Sequence, residues 1–165
     1  MAASTRFKGI EDSRVFKTGQ YFLPGKYSVK INAVKWVNAA VGNKSYFIVE
    51  TTVLASSNAE IAVNGERSHV IDMSNVMGLP NVKAFVAAVS GVDASGTDVN
   101  DQVAQYWSQQ LGEHIGFEGI CELICSDSNP LAEEEMDLEC FMTKTKDGGD
   151  FTKHNWLPRA VSTEG

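Results

Sequence analysis

Two consecutive segments constrain what this chain can become more than anything else in it. Across residues 26 to 37, Tyr27, Val29 and Ile31 alternate with Ser28, Lys30 and Asn32, the two-residue period of a half-buried strand. The phase slips where Ala33 and Val34 stand side by side, and a β-bulge near Ala33 accounts for the slip. Val34 and Trp36 then continue the apolar set. Residues 38 to 44, with Gly42-Asn43, read as a hairpin loop. Residues 46 to 55 follow as a second strand rich in β-branched and aromatic residues. Its nearly continuous apolar character suits burial on both faces or strong curvature.

The rest of the chain supplies partners for this hairpin. Before it, residues 7 to 22 read as an extended arm that ends at the turn Leu23-Pro24-Gly25. After it, residues 66 to 73 alternate as a third strand, with Arg67 and His69 opposite Ser68, Val70 and Asp72. Asn81 is a candidate cap for a helix through Ser90, with Val82, Phe85, Val86 and Val89 at helical spacing and Gly91 at its end. Residues 98 to 111 form a second helix, with Val103, Trp107 and Leu111 on its apolar face and Gly112 stopping it. Residues 117 to 126 read as a fourth strand with Cys121 and Cys125 on one face. Residues 138 to 145 read as a fifth, and residues 151 to 157 as a short return strand. The expectation is a single, mostly β domain over residues 1–165 with a helical insertion. It would be a five-stranded OB-like barrel with helices between strands three and four, an N-terminal arm over about residues 1–24 and a loose end over about residues 160–165.

Cysteine and histidine usage narrows the chemistry. Cys121, Cys125 and Cys140 are too few for a disulfide scaffold, and neither they nor His69, His114 and His154 have the spacing of a zinc site. The expectation is three reduced cysteines, no metal and no cofactor. There is no Gly-x-x-x-x-Gly-Lys loop, Gly-x-Ser-x-Gly elbow or His-Glu-x-x-His helix, so no catalytic residue is assigned. Asp72 reads as a structural carboxylate at a strand end. No run approaches the roughly 18 apolar residues of a membrane helix, and no apolar stretch follows the start, so the expected location is the cytoplasm.

The 165 residues carry a formal charge of −7, which argues against a nucleic-acid partner only while it is read as a sum. Residues 1 to 55 hold eight bases and three acids, a net of +5. Residues 56 to 143 hold two bases and fifteen acids, a net of −13, and the remainder is +1. Such asymmetry points to an electrostatic face for an anionic partner, with ordinary solubilising surface as the plainer reading.

Particular residues carry a family likeness. The run Phe7-Lys8-Gly9-Ile10, the run from Gly19 through Pro24-Gly25 to Tyr27, and Tyr46-Phe47-Ile48-Val49-Glu50 resemble small phage proteins grouped as OB-fold single-stranded DNA-binding proteins. So do Val70-Ile71-Asp72-Met73-Ser74 and Asn81-Val82-Lys83-Ala84-Phe85. The resemblance covers roughly residues 7 to 92. It implies non-enzymatic, sequence-tolerant binding of single-stranded DNA in phage replication or recombination, inside the host cytoplasm. Many relatives end in an acidic, partner-recruiting tail, whereas this sequence ends Ser162-Thr163-Glu164-Gly165, so recruitment of replication enzymes through such a tail is not expected.

A single-strand binder needs cations for phosphates and flat rings for unpaired bases. Lys30, Lys35, Trp36, Lys44, Tyr46 and Phe47 surround the first hairpin, and Arg67 and His69 lie on strand three. Phe141, Lys144, Lys146, Lys153 and Trp156 surround the last hairpin. On an OB barrel these groups would converge on one face. For Trp36 a core role stands beside stacking. Of Tyr46 and Phe47 at most one points inward. Trp156 is read as exposed, beside Lys153 and His154. The alternative function is a protein-interaction module that uses the acidic middle as a DNA mimic, a host-protein inhibitor or a virion component. Replication or recombination proteins are further expected partners. The arm before Pro24 also offers a route to self-association.

Overall fold

In the computed structural model, which describes residues 21–38, 44–144 and 148–160, the alternating segments pair as one antiparallel sheet. Strand β1 (Gly25–Asn38) sits at its centre, flanked by β2 (Ser45–Ser56) and β4 (Glu135–Lys144). Beyond them lie β3 (Glu66–Asp72) and β5 (Asp150–Trp156), giving the order β3-β2-β1-β4-β5. Helices α1 (Gly78–Val89), α2 (Val99–Leu111) and α3 (Phe117–Ile124) are inserted between β3 and β4. The β1–β2 register shifts between Ser28 and Val29 and again between Ile31 and Ala33. The second shift is the bulge that the slipped alternation predicts.

The sheet is open, which corrects the expected fold. A closed five-stranded OB barrel would join β3 to β5 through a backbone ladder. Here both are edge strands, and the backbone partner of β3 on its free side is Tyr21, bridged in parallel to Ser68. Rings rather than peptide groups meet across the seam, and no backbone ladder joins the two edges. The resemblance to OB-fold single-stranded DNA-binding proteins of phages depends on that closure. It is overturned with it, together with the phage assignment it carried.

A second correction concerns residues 117 to 126, of which Phe117–Ile124 form α3 and none a strand. A spacing of four residues satisfies both periods, so Phe117, Cys121 and Cys125 share a face either way. The packing decides for the helix. Ile120 and Ile124 are fully buried, although a strand would turn them away from the cysteines. The fourth and fifth strands are therefore the segment predicted as fifth and the return strand after it.

Helix α1 begins at Gly78, three residues before the predicted cap, with Pro80 in its first turn, where a missing N–H costs nothing. A Cβ at Gly78 would lie 2.9 Å from the Asp72 carbonyl oxygen, so glycine is what lets the helix leave β3 so tightly. The helix is buried nearly all round through Phe85, Val86, Ala87, Ala88 and Val89. Phe85 sets its edge against Phe47 and Trp156, with ring centroids at 5.9 and 5.0 Å. The inner face of the sheet, with Val29, Ile31, Val49, Val53 and Leu138, completes the core.

Arg159, which the sequence does not single out, closes the far end of α1. Its Nε donates to the Val89 carbonyl at 2.9 Å, its backbone N–H donates to Ala88, and Nη2 donates to the Tyr106 hydroxyl. Nη1 pairs with Glu134 at 2.7 Å. A cation on the last helical carbonyls matches the helix dipole. Arg159→Ala should lower stability by about 2–3 kcal/mol, the worth of charge-assisted bonds at a half-buried site, as read from denaturant unfolding.

Candidate nucleic-acid interface

The outer face of the sheet is where the N-terminal lysines were expected to meet phosphate. Cross-strand partners share a face, and here they match base with acid. Lys26 stands opposite Glu139 at 3.9 Å, Lys30 opposite Glu135, and Lys35 pairs with Glu50 at 2.9 Å. The charge segments of the sequence therefore do not separate into faces on this side. Glu135 and Glu139, from the acidic middle of the sequence, fold back over Lys30 and Lys26 of β1.

The seam between β3 and β5 is built differently. His69 lies on the inner phase of β3, in register with Val49, and His154 on the inner phase of β5, in register with Cys140. Their rings stack at 3.8 Å with planes 7° apart. Trp156 donates its indole N–H to His69 Nδ1 at 3.0 Å, and Phe22 sets its edge against His154. Burial holds His69 well below its ordinary pKa, with the neighbouring His154 adding to it. Burial likewise pulls His154 down to about 4, against a backbone hydrogen bond at Thr152. Two neutral imidazoles and an indole thus staple the edges that no ladder joins.

Along this seam runs a groove of about 530 Å³. Val70, Asp72 and Asn81 form one wall, and Lys144, Phe151 and Lys153 the other. On the β4–β5 hairpin Phe141 and Phe151 are 45% and 46% exposed, and Lys153 Nζ lies 5.7 Å above the Phe141 ring. Phe141 is in register with Lys153, so both project from the outer face. Asp72 is the acidic member of the groove. Its carboxyl is held below the usual range by the Ser74 hydroxyl and backbone N–H, with Lys44 a smaller contributor, which fits the structural role read from the sequence.

The candidate residues thus divide. Phe141, Lys144 and Lys153 come together on the β4–β5 hairpin, with Lys44 and Tyr46 at the start of β2, where Tyr46 stands in register with Asp72. Lys30 and Lys35 lie elsewhere on the outer face, beside their acids. Phe47, His69 and Trp156 are buried in the core, where no ring face is open to a base. Trp156 in particular is not exposed as expected, because its N–H has a partner in His69 and its ring one in Phe85. Arg67 is on the inner phase, and its Nη1 is buried without a partner among the described residues. Trp36 is 49% exposed on the helical side of the sheet, away from the seam. Lys146 lies outside the described residues. The sequence reading missed Phe151. It shares an alternation with Lys153 and pairs with Thr143, so folding the last hairpin on paper brings it beside Phe141.

Among the described residues no three His, Cys, Asp or Glu side chains gather as a metal site, and no helix is long and apolar enough to cross a membrane. All three cysteines are free thiols. No model of a known protein family matches this chain, and no curated protein matches it either.

Proposed function

We propose that the protein binds single-stranded DNA, without sequence preference, at the seam beside the β4–β5 hairpin. The observation that carries this reading is the pair of half-exposed phenylalanine rings on the outer face of the hairpin, with Lys153 over the Phe141 ring and Phe151, Lys153 and Lys144 lining the adjoining groove. Unpaired bases stack on such rings at about 1–3 kcal/mol each whatever their identity, and the ammonium groups follow the phosphates. Lys44 extends the cationic track to the start of β2. The reading rests on this hairpin and owes nothing to barrel closure.

Titration of a labelled oligothymidylate and a mixed-sequence oligonucleotide over a salt series tests it. About three lysine–phosphate contacts predict a log–log salt slope near −2, equal for the two sequences. Phe141→Ala combined with Phe151→Ala should weaken binding at least tenfold, with the fold intact because both rings are half outside it. No binding at low salt, or binding untouched by the double substitution, would contradict the proposal.

A further inference from the structure

The helical side of the molecule carries a second surface that the strand-binding proposal does not use. Helices α1 and α3 and the far ends of β1 and β2 enclose a groove of about 570 Å³. Its floor and walls are apolar, including Trp36, Met73, Leu79, Phe117, Cys121 and Cys125. Leu79 is 72% exposed. Burial raises both thiols, Cys121 to about 11, so the floor carries no charge at neutral pH. A contiguous apolar patch of this kind, rimmed by charge, marks an interaction site more often than bare surface.

The charge around it decides what fits. The charged side chains that line it are two acids, Glu118 and Glu122, and one base, Lys83. Glu118 and Glu122, one helical turn apart on α3, line the groove itself. Lys83, on the opposite wall, holds its ammonium 5.9 Å above the Phe117 ring. The eight residues of α3 extend about 12 Å, enough to face two turns of a second helix. We infer that this groove takes an amphipathic cationic helix from a partner protein, its apolar face on Trp36, Leu79 and Phe117 and its Lys or Arg side chains against Glu118 and Glu122. This is the helix-in-groove mode, in which apolar anchors give affinity and charge gives selectivity.

Trp36 supplies the readout, because Trp107 and Trp156 are only 3% and 7% exposed. The probe is a synthetic helical peptide of about four turns with leucine on one face and lysine beside it, free of tryptophan. A twin carries glutamate for every lysine. Added to the full chain, the lysine peptide should shift Trp36 emission to the blue, saturate, and protect Cys121 and Cys125 from alkylation. The twin should bind at least tenfold more weakly. Leu79→Asp should abolish the shift, and Glu118→Lys with Glu122→Lys should reverse the preference. The same reversal at Asp101 and Glu113, which line no part of this groove, should leave affinity within about twofold. Equal binding of both peptides, or equal loss from either charge reversal, would overturn the inference. So would an emission shift produced by protein concentration alone, which assigns the groove to a second copy, or one produced by oligonucleotide. Failure of strand binding at the seam leaves this result unaffected.

Discussion

Acidifying the protein from pH 7 to pH 4 should remove about 3 kcal/mol of stability through His154 alone. Its pKa is about 4 in the fold against an ordinary 6.5, so above 6.5 it is neutral folded or unfolded and its contribution is fully present. Below 6.5 the unfolded chain takes up a proton that the folded chain refuses, and stability falls until the folded group titrates near 4. His69 acts in the same direction, because burial lowers its pKa and its Nδ1 already accepts the Trp156 N–H. Charging either ring sets a cation against its stacked neighbour, with Arg67 on the same phase of β3. Cys140, in register with His154, has its thiol pushed up to about 12 and offers no compensating anion. Asp72 and Asp93, both held low by serine hydrogen bonds, lose their contribution only further down in pH. Urea unfolding at pH 7, 5.5 and 4.5 reads the slope. His154→Phe, which keeps a flat ring in the stack, should flatten it. An unchanged midpoint across that range would mean that the imidazoles are not held neutral.

Trp156→Ala should be the most damaging single substitution at the seam, at about 3–5 kcal/mol. The indole is buried between Phe85 and His69, so its removal opens a cavity under α1 and leaves the edges of β3 and β5 held by the imidazole stack alone. Trp156→Phe separates the two contributions. It keeps the ring contact with Phe85 and leaves His69 Nδ1 without its donor, which costs about 1–3 kcal/mol for a buried polar atom. The same change frees Nδ1 for a proton, so the acid transition should begin at higher pH than in the parent. Chemical denaturation gives both numbers. A phenylalanine variant as stable as the parent would show that the indole N–H contributes nothing to the staple.

Much of the fold can be read in the sequence because its signals are local. The alternation from Tyr27 to Ile31, the slip at Ala33, and the glycines after α1 and α2, whose φ angles of 73° and 72° few side chains adopt, each act within a few residues. What could not be read depends on distance or on degenerate spacing. Cys121 and Cys125 sit four apart, which a helix and a strand satisfy equally, and the burial of Ile120 and Ile124 separates the two only once the core exists. Closure could not be read either, because element order is shared by a barrel and by an open sheet, and the rings that hold β3 from β5 lie 85 residues apart in the chain. The candidate site was legible as a set of types, and its geometry was not. Lys35 looked available until Glu50 met it across the hairpin. Trp156 looked exposed until His69 supplied a partner. Phe151 belongs with the candidate residues only through the strand register, which pairs it with Thr143 next to the Phe141–Lys153 pair.

Photocrosslinking locates a bound single strand most directly. An oligothymidylate carrying 5-iodouracil, bound to the full chain at low salt and irradiated, should attach to the β4–β5 hairpin. Phe141 and Phe151 should be the modified residues in peptide mass spectra, and the adduct yield should fall as salt rises. Attachment at Trp36 on the helical side, or no adduct under conditions where the oligonucleotide is in excess, would contradict the seam as the binding surface.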